Sequence, residues 1–301
     1  MTKALAESPL FSVLDAAALL AWPLPGINDA ADKEARGRVL IVAGSREIPG
    51  AALLSATAAA RAGAGKLLIA APRSVAPGIA LAMPEARVIG LEEKRDGTLA
   101  DTAARQLAPF AQRMDALLVG PGLPEGPATA AFVAQLLPHF GHVPVVLDAG
   151  AMDLALSEQP FSQPVLLTPH GGEMAHLTGH AKSALADTAA EAAAHYAGCW
   201  QAVVALKGST TWIALPDGGL WRHTGGQPGL ATSGSGDVLA GVITGLAART
   251  NSLWQACAWG VVAHAQAGER LAARIGTLGF LARELLPELP VVLNELQRRR
   301  P

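Results

Sequence analysis

Short apolar runs alternate with alanine-rich stretches through most of the chain. Arg38 to Ala43 (RVLIVA) predicts a buried strand that ends at Gly44. Ala51 to Ala62 follows with strong helix propensity and few β-branched residues. Lys66 to Ala71 predicts the next strand, stopped by Pro72, and Arg87 to Gly90 a weaker one. Ala116 to Val119 runs into Gly120-Pro121-Gly122, and Val143 to Asp148 into Ala149-Gly150. Val165 to Thr168 runs into Pro169-His170-Gly171-Gly172-Glu173, and Ala202 to Leu206 into Lys207-Gly208. These runs are apolar at nearly every position instead of alternating. That suits strands covered on both faces, as in a parallel sheet flanked by helices. The repeated strand-then-helix order predicts an α/β fold with a mostly parallel central sheet.

After Lys207 the pattern changes. Thr211 to Leu215 and Leu220 to His223 are separated by Pro216-Asp217-Gly218-Gly219, which predicts an antiparallel hairpin. A Gly-rich loop follows, then a helix from about Gly236 and a second long helix from about Leu253. The expected organisation is an N-terminal extension over 1–35, one catalytic domain over 36–290 and a tail over 291–301. Arg298-Arg299-Arg300 reads as a solvated end.

Composition narrows the function. Half of the 301 residues are hydrophobic, 16% are charged and the mean hydropathy is +0.30, which excludes a disordered chain. The 23 basic and 25 acidic residues leave a net charge of −2, without the basic surplus that sequence-independent nucleic-acid binding needs. The most apolar stretches are broken by Arg61 and Lys66, by Asp237, or by Glu269 and Arg270, so none predicts a membrane span. Lys3, Glu7 and Asp15 interrupt the start of the chain, which reads as a cytoplasmic one and not as a signal peptide. Cys199 and Cys257 lie far apart and form no metal or redox motif, consistent with a reducing compartment.

Ligands of open parallel sheets bind at the carboxyl ends of the strands, and there the Gly, Pro and polar residues of this chain collect. The longest cluster runs from Gly225 to Asp237 (GGQPGLATSGSGD) and opens the helix from about Gly236. Amides at such a helix start attract an anion, and Asp237 in the first turn suits either capping or chemistry. The cluster is not a P-loop, and no G-x-G-x-x-G follows the first strand. Lys207 at the end of a buried strand is costly unless something satisfies its charge, and a phosphate would.

Gly229 to Gly241 (GLATSGSGDVLAG) resembles the signature of the ADP-dependent NAD(P)H-hydrate dehydratases, a family of the ribokinase-like superfamily. Four other segments resemble that family in order and spacing. They are Gly44-Ser45 with Pro49 to Ala52 and Ala59 to Gly65, then Gly120-Pro121-Gly122-Leu123, then Leu167 to Glu173, then Leu206 to Thr211. The resemblance covers about residues 35 to 285. It implies a ribokinase-like fold and a repair reaction on the S-epimer of hydrated NADH or NADPH. The hydroxyl of the hydrate is phosphorylated by ADP, or by ATP, with Mg²⁺. Elimination then gives NAD(P)H, AMP and phosphate.

By that resemblance Asp237 is expected to be the catalytic base, with the amides of Gly234 to Asp237 around the transferring phosphoryl group. The hydrate is expected against Ala51, Gly122, His170 and Asp237. The adenosine nucleotide is expected on Lys207, Gly208, Ser209, Thr210, Thr211 and Gly236. No residue is assigned as a direct metal ligand, although Glu173 and Asp148 are candidates to position Mg²⁺. The chain departs from the family in two places. Asp148-Ala149-Gly150 stands where D-A-D is usual, with Asp153 nearby, and Gly171-Gly172 replaces Pro-Gly. His176 and His180 at i, i+4, with the other histidines outside the signature, predict no metal site. Trp254 and Trp259 predict a helix packed into a core or subunit interface. The resemblance further implies a homo-oligomer, commonly a tetramer, and an epimerase supplied by a separate chain. A vitamin-precursor kinase on the same fold and a non-catalytic nucleotide-binding protein remain the alternatives.

Overall fold

The computed structural model describes residues 10–26, 34, 36–100, 102–250 and 252–298. The apolar runs are strands of one sheet. In chain order these are β1 (Ser12–Val13), β2 (Arg38–Val42), β3 (Lys66–Pro72), β4 (Arg87–Leu91), β5 (Ala116–Val119), β6 (Val145–Leu147), β7 (Val165–Leu167), β8 (Val203–Leu206), β9 (Thr211–Ala214) and β10 (Leu220–His223). Their order across the sheet is β1-β10-β9-β8-β7-β6-β5-β2-β3-β4. From β8 to β4 every pairing is parallel. The hairpin expected after Lys207 is present: β9 pairs antiparallel with both β8 and β10.

The helices are α1 (Gly50–Arg61), α2 (Ala76–Ala82), α3 (Ala103–Leu107), α4 (Pro127–Leu136), α5 (Gly171–Thr178), α6 (Lys182–Asp187), α7 (Ala189–Trp200), α8 (Ser235–Thr250), α9 (Leu253–Arg274) and α10 (Ala282–Arg298). They cover both faces of the sheet, which explains why its strands do not alternate. In β2, Val39 and Ile41 join the core under α1, α8, α9 and α10, while Leu40 and Val42 join the core under α3, α4 and α7. Each face therefore buries its own apolar layer.

Helix α8 is drawn close to α1 by small residues. A Cβ on Gly241 would lie 2.2 Å from Ser55 O, and one on Gly245 would lie 2.6 Å from Ala59 O. The two helices thus meet backbone to backbone. This contact fixes where the N-terminus of α8 emerges relative to the carboxyl ends of the strands.

Two segments differ from expectation. The chain before β2 adds β1 to the sheet edge, parallel to β10, and buries Leu14, Leu19 and Leu24. Trp259 is buried and donates its Nε1–H to Trp22 O at 2.7 Å, while Trp254 stacks on Trp221 and meets Trp22 edge-on. The tryptophan pair therefore packs α9 against the incoming chain. The tail expected over 291–301 is helical through Arg298, and Val292, Leu293 and Leu296 are buried. Pro287 and Pro290 inside α10 hide its periodicity, because proline usually ends a helical pattern. Arg299 and Arg300, like Lys3 and Glu7, lie outside the described residues. Among the described residues no helix is long and apolar enough to cross a membrane.

Candidate active site

The strand ends are held together by glycines. Gly120, just past β5, has φ 128°, and a Cβ there would sit 1.7 Å from Asp148 O. Gly122 has φ 71°, which favours glycine, and its Cβ would sit 2.7 Å from Ala51 Cβ. The amide of Gly44 donates to Pro121 O at 2.7 Å, closing the turn after β5 onto the end of β2. Ala51 and Gly122, expected to meet the same ligand, are therefore direct neighbours.

Next to them lies a cluster of charge. Asp148, at the end of β6, is 3% exposed. Its Oδ1 accepts from Thr168 Oγ1 at 2.6 Å and from Lys207 Nζ at 3.3 Å. Lys207 Nζ also lies 3.8 Å from Glu173 Oε2, and the field of Asp237 reaches it as well. Burial alone would discharge Lys207, but the carboxylates hold its pKa above the ordinary lysine value. This corrects one expectation. Lys207 does not wait for a phosphate to satisfy it, because acids 59 and 34 residues earlier in the chain already do.

Asp237 is placed differently from the other two acids. Asp148 and Glu173 each accept hydrogen bonds, Glu173 from the His170 amide at 2.7 Å. Among the described residues no donor is hydrogen-bonded to the Asp237 carboxyl. It is not spent on capping α8. Burial, with the charges of Asp148 and Glu173, pushes its pKa up to about 7 against the opposing pull of Lys207. One ammonium is answering three carboxylates, and Asp237 carries the shortfall.

The N-terminus of α8 faces this cluster. The Ser235 amide is used, donating to Thr232 O at 3.2 Å, and Val238 bonds back to Gly234 O. The amides of Gly234, Gly236 and Asp237 have no such partner among the described residues, so the anion-binding donors are these three. A Cβ on Gly236 would come 3.4 Å from Lys207 Nζ, so the helix end, the lysine and the acids form one site.

His170 has a backbone task that its sequence context did not reveal. It caps α5, its Nδ1 accepting the amides of Gly172 and Glu173 at 3.0 Å each, while Glu173 reaches back to the His170 amide. With Nδ1 as acceptor, the ring proton sits on Nε2. The ring is 60% exposed, so that N–H is offered as a donor at the edge of the site. Gly172 makes room for the ring, since a Cβ there would be 2.9 Å from His170 Cε1. Gly171 has only Lys182 Cε near a would-be Cβ, at 3.9 Å, so this position tolerates the proline usual there.

The departure at Asp148-Ala149-Gly150 also has a physical reason. A Cβ on Gly150 would lie 2.3 Å from Pro124 O, so no carboxylate fits there without moving the chain. Asp153 is no substitute. It is buried, accepts the Gly126 amide on Oδ2 and is bound on Oδ1 by His176 Nε2 at 2.9 Å. Of the expected nucleotide residues beyond Lys207, Gly208 and Ser209 are exposed, and Thr210 and Thr211 are half-buried. Thr168 and His264 were given no role by sequence reasoning, yet both touch this site. Among the described residues no group of three His, Cys, Asp or Glu could hold a metal by itself.

The family profile for NAD(P)H-hydrate dehydratase matches residues 39–291. The chain is 49% identical over 290 residues to an ADP-dependent (S)-NAD(P)H-hydrate dehydratase of Xanthomonas campestris, covering 96% of this chain and 99% of that one. It is 41% identical to a bifunctional NAD(P)H-hydrate repair enzyme of Moorella thermoacetica, covering 91% of this chain and 52% of the relative, about half its length. Its fold superposes on a crystal structure of the ADP/ATP-dependent NAD(P)H-hydrate dehydratase of Bacillus subtilis, co-crystallised with ATP and Mg²⁺. The TM-score is 0.82 at 32% identity, covering 97% of this chain and 99% of that one.

Proposed function

The chain belongs to the NAD(P)H-hydrate dehydratase family, and from that premise we propose that it returns the S-epimer of hydrated NADH or NADPH to NAD(P)H. ADP drives the reaction and is split to AMP and phosphate, with ATP as the other candidate donor. The observation that carries this reading is the Asp237 carboxyl, free of hydrogen-bond donors among the described residues, poised near neutrality and set beside the open amides of α8.

The chemistry follows from those parts. The substrate hydroxyl attacks the terminal phosphorus of the nucleotide, an O–P bond forms, and the bond to AMP breaks. Asp237 takes the hydroxyl proton, a task suited to a base whose pKa lies near the working pH. The amides of Gly236 and Asp237 meet the charge on the transferring group. The phosphate ester then eliminates, because phosphate leaves far more readily than hydroxide, and loss of a ring proton completes the double bond. Ala51, Gly122 and the Nε2–H of His170 hold the hydrate, while Lys207 to Thr211 and Gly236 hold the nucleotide.

Mg²⁺ fits this site without a cage of its own. Three carboxylates stand against one lysine, and such ions are held by one or two carboxylates together with substrate phosphates. Glu173 and Asp148 are the residues to position it, and the ion would neutralise phosphate charge. We place the catalytic unit at 36–290, in a cytoplasmic homo-oligomer, commonly tetrameric in this family, with epimerisation of the hydrate supplied by another chain.

An absorbance assay tests the proposal. Protein, hydrated NADH, Mg²⁺ and either ADP or ATP should restore the reduced-nicotinamide band near ~340 nm as Asp237 draws the hydroxyl proton. No recovery with either nucleotide, together with a stable phosphorylated product from another alcohol, would move the chain to the kinase reading.

A further inference from the structure

His264 lies on α9, 29 residues beyond Ser235, and is 8% exposed. Its Nε2 is 3.1 Å from Ser235 O and 3.1 Å from Ser235 Oγ. A carbonyl oxygen only accepts, so Nε2 carries the ring proton and donates it to Ser235 O, with Oγ sharing the bond. Burial pushes the imidazole down to about 4, so it makes this bond as a neutral donor and adds no charge behind the site.

Ser235 O and the Gly236 N–H belong to one peptide group. That group is planar and trans, so its C=O and N–H point in opposite directions. Whatever grips the oxygen aims the hydrogen. Among the described residues the Gly236 N–H is one of the unpartnered donors at the start of α8, and Gly236 lies beside Lys207 Nζ. Helix ends fray because their last groups lack partners, and this first turn must hold still for the N–H to meet a developing charge. We infer that His264 is a positioning residue for phosphoryl transfer: from the core side it holds Ser235 O, and through the shared peptide plane it directs the Gly236 N–H into the site. This rests on the phosphoryl-transfer reading of the site and adds to it a residue that touches neither substrate.

The decisive comparison is between two replacements. His264→Leu keeps the bulk and removes the donor. His264→Gln keeps an N–H at similar reach. In the ADP-driven assay His264→Leu should lower kcat by about 30- to 300-fold, somewhat less than the roughly 100- to 1,000-fold for outright loss of a charge-stabilising donor, because the Gly236 N–H stays but is no longer aimed. KM for ADP should rise by less than kcat falls, since Gly236 is one of several groups that hold the nucleotide. His264→Gln should return kcat to within about fivefold of wild type. If His264→Leu does not fold, His264→Asn, whose N–H is one bond too short, is read by the same criteria.

A second readout needs no turnover. Inorganic phosphate added to ¹⁵N-labelled protein should shift the Gly236 amide signal in wild type and His264→Gln, and leave it unmoved in His264→Leu. If wild type dehydrates no hydrate, the proposed function falls while this arm still judges the brace. The inference is overturned if His264→Leu keeps wild-type kcat, if both replacements lose activity equally, or if the Gly236 response to phosphate is the same in all three proteins.

Discussion

The two ends of the parallel strands treat charge in opposite ways. At the amino ends, the ion pairs are exposed. Glu34 bridges Arg38 and Lys66, and Asp115 accepts the Arg38 amide at 2.8 Å. Arg249, half-buried, donates to Ala62 O and is held below the ordinary arginine value by burial and by the charge of Arg36. At the carboxyl ends, Lys207 answers Asp148, Glu173 and Asp237 together, out of water, and Asp237, with no hydrogen-bond donor among the described residues, is driven up to about 7. Both ends join the same strands. Only the carboxyl ends gather three acids around one lysine beside an open helix start, and perturbed groups of that kind mark candidate sites of chemistry.

Replacing Asp237 should break this contrast most. Asp237→Asn should lower turnover by about a thousandfold, within the range for loss of a general base, with ADP affinity retained. It should also stabilise the fold in alkali. An acid whose folded pKa exceeds its unfolded value contributes stability when protonated, fully below pH 3.8 and lost as pH rises through about 7. Above that pH the ionised group is a burden that asparagine removes. A gain on the order of 1–3 kcal/mol at pH 8, after solvent screening, should shrink toward zero at pH 4. Thermal unfolding at the two pH values measures it.

Lys207→Met comes next. It should lower turnover by about a hundredfold, as loss of a charge contact to the transferring phosphate does. It should also cost roughly 2–4 kcal/mol, because it leaves buried carboxylates unpaired. With its neutralising charge gone, the acid limb of the pH–rate profile should move to higher pH. A limb that stays in place would show that Lys207 does not tune Asp237.

Gly120→Ala sharpens the comparison from the backbone side. Its Cβ would meet Asp148 O at a positive φ, so the strand ends must part. A loss of about 3 kcal/mol or more is expected in denaturant unfolding. At the other end, Glu34→Gln should leave both turnover and melting temperature unchanged within error, as for exposed pairs generally.

Much of this was legible in the order of residues. The strands of the parallel sheet were readable because both faces are apolar, and the hairpin because Pro216 to Gly219 breaks the chain between two β-rich runs. β1 was not, since Ser12 and Val13 are both exposed and carry no periodicity. α10 was masked by its two prolines. At the site, the Gly, His and acid positions could be found in the motifs, but their alliances could not. Lys207 meets Asp148 across 59 residues, and His264 meets Ser235 across 29. The glycine at 150 is dictated by the backbone of Pro124, which no local pattern announces.

We propose that Asp237 is the base and that it titrates near neutrality. The most direct test is kcat/KM for hydrated NADH at subsaturating Mg²⁺ and ADP, which reports the unliganded enzyme, measured across pH for wild type and Asp237→Asn. The wild-type value should climb about tenfold per pH unit below about 7 and then level, because only the ionised carboxyl takes the proton. The Asp237→Asn value should be low and flat. A wild-type value independent of pH between about 5.5 and 8.5, or wild-type turnover in Asp237→Asn, would contradict this proposal.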